Sequence, residues 1–297
     1  MNRAIIQLLI GALAIGLSPI FAKWVVLTGN VSPIGAGFWR MGIGSLGFGL
    51  LILLPSDRQL GLAELRSTLK KSPLPIVLAG ILFACDLTAW HTSFEYTSVS
   101  SSTLLANLSS IFVPVCGVLF FREKFKSKLA IGGVLALIGG FGIAFFRNAV
   151  GRDGSHDSLL LGEGLAFMTA FFYTAYMLII KRIVGGGAPR SIMFISSGVS
   201  AIILCLLAIF LEQTIWPHAN AAWVWIFALG LISQTMGQGL IAKALMVLPV
   251  SQSALILLAA PTSSAVFGWL LLGEALTAPQ IGSIGITLLG IALVARR

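Results

Sequence analysis

Acidic side chains, histidine and cysteine are all scarce in this chain, with ten Asp and Glu together, three His and three Cys among 297 residues. So few ligating groups build neither a disulfide framework nor a Cys/His metal site. Cys85, Cys116 and Cys205 each fall inside an apolar run, where a thiol behaves as a small buried hydrophobe. There is no HExxH, no phosphate-cradling glycine loop and no paired Cys/His spacing, so nothing calls for a metal or cofactor and the usual constellations of a membrane enzyme are missing. Charge is thin as a whole. Only 10% of residues are charged, against roughly one quarter in a soluble domain, which excludes an ordinary soluble fold.

What fills the chain instead is apolar sequence: 57% of residues are hydrophobic, and the mean hydropathy is +0.99. Runs long enough for the roughly 20 residues of a membrane helix fall near 5–26, 33–54, 74–96, 100–121 and 129–146. A second set falls near 159–180, 190–211, 222–247, 251–272 and 280–295. The expected fold class is therefore an all-α membrane protein with ten transmembrane helices. The first run exceeds a signal-peptide core and leads straight into further spans, so it reads as a retained helix.

The net charge of +9 comes with no nucleic-acid motif, and its distribution explains it better. With the N-terminus inside, the inner segments hold Arg3, Arg58, Arg66, Lys70, Lys71, Arg122, Lys124, Lys126, Lys128, Lys181, Arg182, Arg190, Arg296 and Arg297. The outer connections hold only Arg147 and Arg152. Such an imbalance places both termini in the cytoplasm by the positive-inside rule, and the seven tryptophans then fall toward the outer interface that suits an indole.

The chain also resembles itself. At an offset of 151, SVSSSTLLANL (98–108) matches PVSQSALILLA (249–259), Gly117 matches Gly268, and Glu123 matches Glu274. Lys23 answers Lys181. Two five-span repeats follow, 1–147 and 159–297, joined by the polar outer linker NAVGRDGSHDS at 148–158. Five is odd, so the second copy enters the membrane inverted, as in many secondary transporters. The inversion accounts for a contrast in charge: FREKFKSK (121–128) carries four cations, while its counterpart LGEALTAP (272–279) carries none because it emerges on the opposite face. The glutamate kept in both copies is expected to accept N–H groups at the start of the following helix.

The stretches SVSSSTLLANLSSIFVPVCGVLFFREK and PVSQSALILLAAPTSSAVFGWLLLGEALTAPQIGSIGITLLG, with FWRMG in the second span, resemble the EamA family of the drug/metabolite transporter superfamily. That resemblance implies ten helices around a central cavity lined by the first, third, fourth, sixth, eighth and ninth spans. It implies a secondary transporter of the bacterial inner membrane, exporting amino acids or related amine-bearing metabolites, with proton-coupled uptake as the alternative. The partners implied are a small-molecule substrate, the lipid bilayer, and protons as coupling ion.

Site candidates follow from the cost of polar groups in lipid. A charge at mid-membrane costs about 2.5–3.5 kcal/mol on insertion scales, so Asp86 in the third span stands out. At helical spacing it shares a stripe with Trp90 and Ser93, suited to an amine or an exchanged proton, or to pairing with a buried cation such as Arg40 or Lys23. Thr103, Asn107 and Ser110 line one face of the fourth span and have no polar counterparts in the second repeat. Gln234 and Gln238 share a face of the eighth span, while Tyr173 and Tyr176 in the sixth are expected mainly to pack. Arg40 is expected to snorkel to the outer headgroups. His91 and Glu95 are expected to pair near the outer surface, with a pH-responsive gate as the second reading. Pro19, Pro114 and Pro261 mark bending points, and small residues such as Gly132, Ala136, Gly140, Gly282 and Gly290 allow close helix contact within the chain or across a homodimer.

Overall fold

The computed structural model describes residues 2–54, 58–97, 99–124, 127–148 and 159–295. Among them every regular element is helical. In chain order these are α1 (Asn2–Gly16), α2 (Ser18–Gly29), α3 (Pro33–Ile52), α4 (Arg58–Lys71), α5 (Pro73–Tyr96), α6 (Val99–Ala106), α7 (Ser109–Phe121) and α8 (Ser127–Asn148). Then come α9 (Leu159–Val184), α10 (Pro189–Phe210), α11 (Ala222–Ala228), a π-helix (Leu229–Gln238), α12 (Gly239–Leu245), α13 (Val250–Ile256), α14 (Ala259–Leu272) and α15 (Ala278–Ala295).

Eight of the described stretches are both long and apolar enough to cross a membrane: Asn2–Gly29, Pro73–Ser93, Ser127–Phe146, Leu160–Val184, Pro189–Phe210, Ala222–Leu245, Val250–Leu272 and Ala278–Ala295. The spans expected from the sequence near 33–54 and 100–121 are the two outside that group. α3 has the length, at 20 residues or about 30 Å of helix, but its glycines and Arg40 dilute its hydropathy. The other is divided between α6 and the short apolar helix α7.

Local chemistry sets the starts and breaks of the helices. Proline at the first positions of α3, α5 and α10 occupies places where a missing N–H costs nothing, and Ser32 caps α3 by accepting the Gly35 N–H at 2.9 Å. Pro19 and Pro261 lie just beyond the breaks at Leu17 and Leu257–Leu258, where each removes one i→i−4 donor. Pro114 lies within α7, and its carbonyl accepts from the Ser251 hydroxyl at 3.3 Å. The π-helix was not legible in the sequence. Nor was α4, a polar helix with Lys70 and Lys71 in its last turn, tied to α10 by Arg190–Glu64 at 2.8 Å.

Packing is closest where side chains are smallest. α8 and α15 lie side by side: a Cβ on Gly290 would strike the Ala136 backbone, and one on Gly139 would strike Ser283 and Thr287. Of the expected stripes, Gly132, Ala136 and Gly290 thus join two helices of one chain, whereas Gly140 faces Leu258 and Gly282 faces open space. Gly290→Leu is expected to destabilise the protein by at least about 1–3 kcal/mol through overpacking, measured as a loss of melting temperature in detergent. α5 packs on α9 and α3 on α10 in the same close manner.

One end of the bundle is rich in tryptophan. Trp24 lies 4.1 Å from Trp225, and Trp39 lies 4.8 Å from Trp223 and 5.2 Å from Trp216. The segment 211–221 is strapped across this end: its Thr214 carbonyl accepts the Ser32 N–H at 2.8 Å and its Ile215 carbonyl accepts the Trp39 indole N–H at 2.8 Å, while the His218 N–H reaches Gly29 O at 2.9 Å.

Candidate substrate site

α3, α5 and α9 converge on one charged cluster inside the bundle. Asp86 of α5 is 6% exposed and Arg40 of α3 is 7% exposed, and the two lie within electrostatic reach of one another. Tyr173 and Tyr176 of α9 lie within reach of both. Arg40 holds its guanidinium carbon 5.7 Å from the ring centre of Phe83, a cation–π distance, and Phe83 stacks on Tyr176 at 4.5 Å and 17°. Arg40 does not snorkel to the headgroups. A ring face and a carboxylate inside the bundle stabilise its charge where the expected route was outward along the helix.

Phe83 is the member of this cluster that sequence reasoning missed. It precedes Asp86 by three residues and so shares its helical face, a signal hidden because phenylalanine in an apolar span reads as packing. Tyr176 does pack, as expected for an aromatic at helical spacing, but its hydroxyl is buried and directed toward Met193 of α10 at 3.9 Å.

One turn along α3 from Arg40, Gly44 makes room for the side chain of Gln234, which sits fully buried in the π-helix and donates to Ser197 of α10 at 3.0 Å. Gln234 Oε1 and Arg40 Nε are buried without a hydrogen-bond partner among the described residues. Gln238 is buried in the same π-helix. A π-helix widens the local backbone and is frequent at functional positions. A buried polar atom left without a partner costs about 1–3 kcal/mol, which makes Gln234 and Arg40 candidates for the site.

Other candidates divide between roles. Ser93 is fully buried and donates to the Trp90 carbonyl at 2.6 Å while sharing a hydrogen bond with Ser102 of α6, so it fastens α5 to α6. Thr103, Asn107 and Ser110 straddle the break between α6 and α7, both packed against α9, and Asn107 Nδ2 is buried without a hydrogen-bond partner among the described residues. His91 is buried beside Gly37 of α3 and is hydrogen-bonded to the backbone of Pro33 at the start of that helix, so it is not exposed at the surface. The Glu95 side chain, proposed as its ion-pair partner, lies outside the described residues. Lys23 pairs with Glu274 at 3.2 Å, and both are partly exposed. An apolar groove of about 680 Å³ between α8 and α15 offers only Ser283 as a polar group and lies apart from this chemistry.

Glu123 departs from its expected role in a telling way. Its carboxylate accepts the N–H groups of Val250 at 2.7 Å and Ser251 at 2.9 Å, at the start of α13 and not of the helix that follows it in the chain. Nearby, Lys181 donates to the Leu245 and Leu248 carbonyls at 2.7 Å each, satisfying the end of α12.

Comparison with known proteins settles the class. The EamA-like transporter family matches residues 2–145 and 160–296, nearly the whole chain. The protein belongs to that family. That family is one of transporters within the drug/metabolite transporter superfamily, and the chain is a multi-pass membrane protein. An uncharacterized transporter of Haemophilus influenzae is 30% identical over 178 residues, 59% of this chain and 55% of that one. The thiamine-repressible mitochondrial transport protein THI74 of Saccharomyces cerevisiae is 28% identical over 108 residues, 36% of this chain and 29% of that one. The alignments thus span about half or less of these curated relatives. A solved crystal structure superimposes over 99% of both chains with a TM-score of 0.81 at 17% identity, which shows a shared fold.

Proposed function

We propose that this EamA transporter carries a small amine-bearing metabolite, such as an amino acid, across the bacterial inner membrane by alternating access. Export is the proposed direction, with protons as coupling ion. The observation that carries this reading is the buried Arg40–Asp86 cluster, framed by Tyr173 and Tyr176, because charge inside the membrane is costly and is retained mainly where it does work. Asp86 suits a substrate ammonium or a coupled proton, and Arg40 suits a carboxylate. Gln234, Gln238, Thr103, Asn107 and Ser110 are proposed to extend the site.

The architecture in this proposal is ten spans, counting α3 and the α6–α7 pair with the eight apolar stretches, in two inverted halves of residues 1–147 and 159–297. The two separate family matches and the shared offset of 151 support it. The basic residues of the connections support cytoplasmic termini.

Thermal unfolding of the purified protein across a metabolite panel tests the reading. A bound substrate at 100 times its Kd is expected to stabilise the folded state by about 2.7 kcal/mol. The same compound should then show saturable counterflow in proteoliposomes, with export raising resistance to toxic analogues and uptake rescuing an auxotroph. Current without saturable counterflow would replace the carrier with a channel.

A further inference from the structure

Two turns, far apart in sequence, are built alike. After α7, Arg122 adopts φ 52°, and the Glu123 N–H reaches the Gly117 carbonyl at 3.3 Å. After α14, Gly273 adopts φ 67°, and the Glu274 N–H reaches the Gly268 carbonyl at 3.2 Å. In both, a left-handed residue ends the helix and turns the next residue's carboxylate back along it. A Cβ on Gly117 would come within 3.0 Å of Glu123 Oε2, and one on Gly268 within 2.8 Å of Glu274 Oε2. Each glycine therefore opens the space its glutamate occupies.

Each carboxylate also reaches across the chain. Glu123, in the first half, holds the Val250 and Ser251 N–H groups of the second half, and Lys181 stands within its electrostatic reach. Glu274, in the second half, holds Lys23 of the first. Lys23 and Lys181 are themselves counterparts in the sequence repeat. The Glu274 contact lies at the end of α14, on Lys23 of α2 next to Trp24 of the tryptophan cluster, and the Glu123 contact lies at the opposite end of the bundle, where α9 and α12 terminate.

We propose that Glu123 and Glu274 are paired latches, one closing each end of the transport path by bridging the two halves, so that release of one opens that end alone. This rests on the carrier reading above. A half that rocks against the other must part these contacts in turn. A carboxylate holding two N–H groups or an ammonium can do so reversibly because water satisfies both partners when they separate.

The test places a reporter cysteine at Ser110, near the middle of Val99–Phe121, with Cys85, Cys116 and Cys205 replaced by serine. An impermeant maleimide is applied from one face in intact cells and from the other in inverted vesicles. Glu123→Gln is expected to speed labelling from the face bearing Glu123 by about tenfold, the equivalent of losing one charge-assisted hydrogen bond. Glu274→Gln is expected to speed labelling from the opposite face. Gly117→Ala and Gly268→Ala, which wedge each latch without changing charge, should reproduce the two signs, and they serve as the test if a Gln variant fails to fold. Shifts toward the same face, or no shift in folded protein, overturn the proposal. Labelling is read without substrate, so opposite shifts support the latches even in a chain that carries none of the metabolites tried, and their absence overturns them even in an active carrier.

Discussion

Asp86→Asn is expected to lower transport by about tenfold or more while leaving the protein inserted in the membrane, since an interaction with a charged partner contributes about 1.5–3 kcal/mol. Asparagine keeps the volume and an acceptor oxygen but removes the negative charge that faces Arg40, Tyr173 and Tyr176. Neither a substrate ammonium nor a coupled proton would then find its carboxylate. Initial rates in proteoliposomes, normalised to inserted protein, measure the effect. Normal rates across the pH range would remove Asp86 from the mechanism and leave it a structural partner of Arg40.

Arg40→Met is expected to destabilise the fold by about 3–5 kcal/mol, because it strands the buried Asp86 carboxylate without its cation. Methionine preserves much of the packing against Phe83, so the loss isolates the charge. Arg40→Met combined with Asp86→Leu should regain most of that stability, as apolar replacements of buried ion pairs commonly do, yet transport nothing. Melting temperatures and transport rates of the single and double variants decide the matter together. An Arg40→Met protein as stable as the parent would show that the two charges are uncoupled. A double variant that still transports would place the substrate elsewhere.

Much of this was legible in the sequence because lipid imposes few solutions. Asp86 stood out because an acid within an apolar run is costly wherever its neighbours lie. The fate of Arg40 was a different kind of question. A long basic side chain in a helix can follow its own stem to the headgroups or turn inward, and the choice depends on Phe83 and Asp86 of α5 and on Tyr176 of α9. Those residues are remote in sequence, and no periodicity in the second span announces them. His91 is a parallel case, since it is buried against α3, where the Pro33 backbone meets it.

The sequence by itself determined the membrane class, most of the apolar helices, the self-similarity at an offset of 151 and the glutamate shared by FREKFKSK and LGEALTAP. These are properties of composition, period and repetition along one chain. The tertiary structure alone decided what each side chain meets. It carried Glu123 to the N–H groups of Val250 and Ser251, joined α8 to α15 through their glycines, and stretched the eighth apolar run into a π-helix around Gln234. The reason is physical: hydropathy and helical period act along the chain, whereas hydrogen bonds, ring contacts and ion pairs act over a few ångströms between helices whose neighbours are set only when the bundle packs.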